Sequence, residues 1–258
     1  MTAPNDSTPN HSVATTSPVR LPRTAAFGPG SGGQPRLLID APAGAAEIYL
    51  HGATVTSWIP RGGSEVIFTS RQAVFDGATA IRGGIPLCLP EFGVGINGNA
   101  VPKHGWARIA PWRLRTVTST DDGGVRALLS VSRDRLTALY EVEVGQTLRL
   151  GLSLRNDGTE PRTVEAAAHT YLSVHDVTAS VISGLDAAAY SDNLARNPQE
   201  SRRVQEGDVK ISGPVDRIYD SAAPIAVIDP GRRRTIRIDK RNAPSTIVWN
   251  PWSTYSTP

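Results

Sequence analysis

The stretch QTLRLGLSLRN, residues 146–156, puts Leu148, Leu150, Leu152 and Leu154 on one side of an extended chain and Thr147, Arg149, Ser153 and Arg155 on the other. A period of two marks a strand with one buried face, because successive side chains of a strand point to opposite sides of its sheet. The same alternation recurs in RLLID (36–40), ATVTSWI (53–59), VRALLSVS (125–132), YEVEV (140–144), IAVID (225–229) and TIRID (235–239), and residues 246–249 read as one more strand. Turn-forming residues separate these runs: Arg61-Gly62-Gly63, Asp121-Asp122-Gly123-Gly124, Asn156-Asp157-Gly158 and Asp229-Pro230-Gly231. No segment sustains a helical period. Many short strands joined by Gly, Pro and Asp turns predict an all-β antiparallel sandwich, and no short internal repeat points to a propeller.

The chain has 258 residues, enough for one or two domains. Its first 34 residues are rich in Pro, Ser, Thr, Asn and Gly and hold little to bury. They predict a disordered lead-in over 1–34, followed by one β domain over 35–258. The lead-in lacks the basic start and apolar stretch of a secretory signal. No apolar run approaches the ~20 residues of a membrane helix, so a membrane is not an expected partner. One cysteine, Cys88, excludes an internal disulfide framework and fits a reducing cytoplasm. The net charge is +3, and Arg232, Arg233 and Arg234 form the one run of three cations. Without a zinc-finger, helix-turn-helix or aromatic RNA-binding pattern, that run reads as a solvated turn, and nucleic acid is not an expected partner. A modest positive balance suits an anionic small molecule held by one or two arginines.

Two long stretches break the alternation, residues 76–108 and 184–208, and loops on a rigid sheet scaffold are where function concentrates. No HExxH, CxxC, P-loop or GxSxG pattern is present. Cys88, in the apolar IPLCLP, reads as a small core residue. Among the histidines, His104 lies in KHGWAR with Lys103 and Arg108, and His169 follows Ala166, Ala167 and Ala168. Taken singly, each histidine reads as structural, Arg82 and Arg108 read as ion-pair partners, and Asp216 beside Arg217 reads as a charge pair at a turn. The sharper alternative is a histidine at a strand end with arginines in a neighbouring loop. An imidazole gives and takes protons near neutral pH, and arginine grips a carboxylate or phosphate with two parallel bonds. That combination suits acid–base work on a phosphorylated or acidic small molecule.

Six stretches occur in order: HGATVTSW, AIRGGIPLCLPEFG, KHGWAR, HTYLSVHDV, VDRIYD and IVWNPW. Together they resemble the hexose-6-phosphate mutarotases, also called glucose-6-phosphate 1-epimerases, of the aldose 1-epimerase-like group. The resemblance runs from about residue 36 to Trp252. It implies a large antiparallel β-sandwich of the galactose mutarotase-like type that interconverts the anomers of glucose 6-phosphate, with no cofactor and no catalytic metal. It implies His169 as the general acid. Arg82 and Arg108 would bind the substrate and its phosphate, and Asp216 would bind sugar hydroxyls and orient His169. Lys103, where relatives often carry glutamine, and His104 would line the site. A monomer acting on a small hexose 6-phosphate is expected.

The resemblance also places the general base on a glutamate in a strand beyond the WNPW turn. Here STYSTP (253–258) does not resemble that continuation, and no residue after Asn250 is acidic. Glu91 and Glu165 lie in or near matching motifs, but neither occupies the base position. The expectation is a sandwich lacking its C-terminal strand, with the acid but not the base and with impaired activity. The competing expectation is a non-catalytic sugar-phosphate-binding module on the same sandwich.

Overall fold

Pairing of the alternating segments accounts for most of the architecture. The computed structural model describes residues 19–252; residues 1–18 of the expected lead-in and the STYSTP segment lie outside the described residues. The chain clusters into two compact units, divided after Tyr171, where the sequence pattern predicts one domain.

The first unit opens with β1 (Ala25–Pro29), β2 (Pro35–Ala41), β3 (Gly44–Tyr49) and β4 (Thr54–Pro60), an antiparallel sheet in that order. A short strand β5 (Leu87–Cys88) follows, then a second antiparallel sheet of β6 (Arg113–Ser119), β7 (Val125–Arg133), β8 (Leu136–Val144) and β9 (Leu148–Asn156). The short β10 (Ala167–Ala168) pairs with β5. The two four-stranded sheets meet along β3 and β8. Leu37, Ile48 and Val55 from one and Leu129, Ala138 and Val142 from the other are fully buried. Each large aliphatic side chain removed from water contributes roughly 2 kcal/mol. Trp112 sits edge-on to Tyr140 with ring centres 6.1 Å apart, and the Trp58 indole N–H donates to the Gly145 carbonyl at 3.2 Å. The leucines of β9 alternate as the pattern predicts but are only half-buried, and Leu154 is exposed, because β9 is an edge strand.

Order begins earlier than the composition predicts. Ala25–Pro29 pairs with β2 from Ala25↔Ile39 to Pro29↔Pro35, so the expected disorder does not extend to residue 34. An edge strand is held by its neighbour's unpaired N–H and C=O groups and needs little apolar alternation of its own. β6 is hidden in the sequence for the same reason: its RLRTVTS side chains are mostly outside the core.

The second unit holds β11 (Val181–Ser183), β12 (Ala189–Asp192), β13 (Arg202–Val204), β14 (Val209–Lys210), β15 (Val215–Tyr219), β16 (Ile225–Asp229), β17 (Arg234–Ile238) and β18 (Thr246–Asn250). They form two antiparallel sheets, β14-β11-β16-β17 and β13-β12-β15-β18. Tyr190, Val215, Tyr219 and Val248 from one sheet pack with Val209 and Ile225 from the other. The arginine run is not a merely solvated turn. Asp229 is fully buried and pairs with Arg234 at 3.3 Å. Arg232 donates to the backbone and hydroxyl oxygens of Ser173, each at 2.8 Å. A buried carboxylate needs such a partner, because leaving it uncompensated costs several kcal/mol.

Tyr140 gives the clearest stability test. Its hydroxyl is buried in the first unit's core with no hydrogen-bond partner among the described residues, and burial pushes its pKa far above the ordinary phenol value. A buried, unsatisfied hydroxyl costs about 1–3 kcal/mol. Tyr140→Phe is therefore expected to raise the unfolding free energy by about 1 kcal/mol, read as a higher urea midpoint at unchanged slope.

Candidate active site

The β5–β10 pairing, Leu87↔Ala168 and Cys88↔Ala167, lays His169 beside the AIRGGIP segment. The His169 N–H donates to the Pro86 carbonyl at 3.0 Å, and the Tyr171 N–H donates to the Gly84 carbonyl at 3.0 Å. Arg82 leads into that segment, its carbonyl held by the Ser70 N–H at 3.0 Å. The glycine after it is required. Gly83 has a φ of +110°, and an added Cβ would lie 2.6 Å from the Phe68 carbonyl oxygen.

The KHGWAR loop closes onto the same strand. The Leu89 N–H donates to the His104 carbonyl at 3.3 Å, and the Leu89 carbonyl accepts the Ala107 N–H at 3.0 Å. Gly105, at a φ of +70°, passes so close that an added Cβ would meet the Leu89 carbonyl oxygen at 2.1 Å. His104 itself adopts a φ of +66°, a left-handed conformation that costs a non-glycine residue about 1–3 kcal/mol and recurs at functional sites. Arg108 rides on the short 3-10 turn Ala107–Ile109, pinned by the Trp112 indole N–H donating to the Ala107 carbonyl at 2.9 Å. Its Nη2 donates to the Lys103 carbonyl at 2.7 Å. Its Nε is buried and has no acceptor among the described residues.

The two imidazoles lie edge-to-face with ring centres 6.3 Å apart. His104 Nδ1 accepts the Gly93 N–H at 3.1 Å, so its neutral ring carries the proton on Nε2. Burial, then the nearby charges of Arg108, His169 and Lys103, push its pKa from 6.5 down to about 4. At neutral pH His104 is an uncharged N–H donor. His169 stacks on Tyr171 with ring centres 4.6 Å apart and planes 18° from parallel. Burial raises the Tyr171 hydroxyl pKa, while Arg82 and Arg108 pull it back, so both guanidinium groups act on the ring that supports His169. The thiol of Cys88 is pushed up to about 11 by burial, which leaves it protonated and inert.

Arg82, Lys103, His104, Arg108 and His169 thus all belong to the first unit. Asp216 belongs to the second, on β15 opposite Trp249, where its carboxylate accepts the Asn193 side-chain amide at 3.0 Å. The sequence pattern does not single out Tyr171 or the Phe92-Gly93 pair. Tyr171 has a local signal, its i, i+2 spacing from His169, which places both on one side of an extended segment.

Residues 35–257 match the family described as aldose 1-epimerase. The chain belongs to that family. It is 34% identical over 226 residues to a Cenchrus ciliaris protein named "Putative glucose-6-phosphate 1-epimerase", covering 80% of this chain and 67% of that protein. A crystal structure from Salmonella typhimurium, described as a putative mutarotase, superposes with a TM-score of 0.80 at 26% identity, covering 90% of this chain and 79% of the other. A galactose mutarotase-like protein from Clostridium acetobutylicum superposes with a TM-score of 0.70 at 11% identity over 88% of this chain and 83% of its own, a likeness of fold. The aldose 1-epimerase chain is thus an antiparallel β protein of the galactose mutarotase-like fold. Among its described residues no helix is long and apolar enough to cross a membrane.

The His104 environment has a measurable consequence. An unfolded chain takes up this proton near pH 6.5, whereas the folded chain takes it up only near 4. Between those values the unfolded state binds more protons. The His104 contribution to stability is therefore complete above 6.5 and is lost as pH falls towards about 4. Urea midpoints across this range are expected to fall less steeply in His104→Gln than in the wild type.

Proposed function

We propose that this aldose 1-epimerase acts on hexose 6-phosphates, glucose 6-phosphate foremost, interconverting their α and β anomers by acid–base ring opening and reclosure. One observation carries the reading: two imidazoles 6.3 Å apart sit with Arg108, whose buried Nε–H has no protein acceptor among the described residues. Proton-transfer groups set among cations suit a sugar that bears a phosphate. Similarity to proteins named as glucose-6-phosphate 1-epimerases supports the same substrate.

In this mechanism His169 protonates the ring oxygen as a base takes the proton from the anomeric hydroxyl. The bond between C1 and the ring oxygen breaks, and the C1 hydroxyl becomes an aldehyde. Rotation about C1–C2 presents the other face of the carbonyl. On reclosure the attacking hydroxyl gives its proton back to His169, the base returns its proton to the C1 oxygen, and the opposite anomer forms. Arg82, Arg108 and Lys103 hold the phosphate; the role that the family resemblance gives Asp216, in the second unit, is binding of sugar hydroxyls. His104, neutral and protonated at Nε2, donates to a sugar oxygen. The glutamate that the family resemblance gives as base has no match among residues 251–258. The setting is a monomer in the cytoplasm, where thiols such as Cys88 stay reduced.

The test is anomer exchange of glucose 6-phosphate, followed by NMR or polarimetry. Acceleration over buffer is expected, and His169→Gln is expected to remove a factor of about 100 or all of the measurable rate. Arg108→Ala is expected to raise KM for the phosphorylated sugar by about tenfold or more, as loss of a charge-assisted bond requires. Folded protein that binds glucose 6-phosphate without accelerating exchange would instead be a binding module. Equal affinity for free glucose would exclude the phosphate clamp.

A further inference from the structure

We infer that Glu165 is a positioning residue: its carboxylate tethers the Phe92-Gly93 backbone, which dictates the ring nitrogen of His104 that carries the proton. The inference rests on the reading above insofar as His104 faces the substrate. The tether itself is visible without any substrate.

Glu165 is tied to the 90–92 segment twice. Its backbone N–H donates to the Pro90 carbonyl at 2.8 Å, and its Oε2 accepts the Phe92 N–H at 3.3 Å. The next amide, Gly93 N–H, donates to His104 Nδ1 at 3.1 Å, and the Gly93 carbonyl accepts the His104 N–H at 2.7 Å. The Phe92 ring stands edge-on to the His104 ring with centres 5.1 Å apart. A backbone amide can only donate, so while Gly93 holds this position Nδ1 stays bare and Nε2 keeps the hydrogen.

The carbonyls of this segment are held by backbone, Phe92 by the Gly95 N–H at 2.8 Å and Gly93 by the His104 N–H at 2.7 Å, whereas the Phe92 N–H is held by the Glu165 carboxylate. Gly93 sits at a φ of +60° with open space where a Cβ would point, and glycine moves freely between backbone states. Beyond it the loop is poorly packed: Val94 is 51% exposed, Ile96 73% and Val101 94%. Released from Glu165, the Phe92-Gly93 amides could rotate, and Nδ1 would be free to take a proton. A ring protonated on Nδ1 alone would present a bare Nε2 acceptor. The charged groups facing His104, Arg108 and Lys103 with His169, resist its protonation. Glu165 acts through the backbone rather than through charge.

The experiment uses the full chain, labelled with 15N-histidine and without ligand, and reads His104 by long-range proton–nitrogen NMR as pH is lowered. In the wild type Nδ1 should be bare and Nε2 protonated. In Glu165→Ala the two neutral tautomers should mix. Glu165→Gln keeps an acceptor oxygen and should restore the wild-type pattern. Glu165→Asp draws the carboxylate back by one methylene and should behave like the alanine variant, so it gives the reading if alanine prevents folding. In anomer exchange, Glu165→Ala should lower kcat with little change in KM. The inference is overturned if folded alanine or aspartate variants keep the wild-type tautomer. It is equally overturned if glutamine fails to rescue, which would make charge rather than the tether the cause. Because the NMR arm needs no turnover, it separates failure of this inference from failure of the mutarotase reading.

Discussion

The site depends on a two-residue pairing between segments far apart in the chain, Leu87-Cys88 against Ala167-Ala168. Closing so long a loop costs conformational entropy that only firm local contacts offset. They are supplied by a run of backbone bonds: His169 to Pro86, Tyr171 to Gly84, and Phe68 to Tyr171. Alanines on the incoming strand carry no bulk to hold the backbones apart. Leu87 and Cys88 on the other side are almost fully buried. Whatever displaced this pairing would separate the proposed acid from the arginine loop.

A second strand-side atom, the Leu89 carbonyl oxygen, organises the other half of the site. It accepts the Ala107 N–H while Gly105 passes close by. The glycines of AIRGG and HGWAR therefore serve a steric purpose that a phosphate-cradle reading of glycines would miss. Close backbone contact is what turns His104 into its left-handed conformation and aims Arg108 from a short, anchored turn. The local strain at His104 is offset by two bonds to Gly93. The product is an uncharged imidazole held among cations, next to a second imidazole stacked on tyrosine.

Much of the scaffold was legible in advance. VRALLSVS, IAVID and TIRID form β7, β16 and β17 within a residue or so of their alternation, because a buried face imposes a period of two. Some edge strands escaped the same reading, although β9 and β17, also at sheet edges, did not. β1 carries AAFGP and β13 carries RRV, segments with no buried face, which become strands because a neighbour offers hydrogen bonds. The arginine run misled for a related reason. Composition cannot reveal that Asp229 is buried and that Arg234 neutralises it.

For the site, the sequence by itself determined which residues were available. The ordered motifs point to Arg82, His104, Arg108 and His169, and their glycines mark where the chain must turn tightly. Tertiary structure alone decided how those residues behave. Protonation of His104 depends on a Gly93 amide and on cations brought near by folding. The support of His169 depends on a stacking distance to Tyr171. A residue's type is written in the chain, but its electrostatic energy and its tautomer depend on distances to neighbours that exist only after the loops have closed.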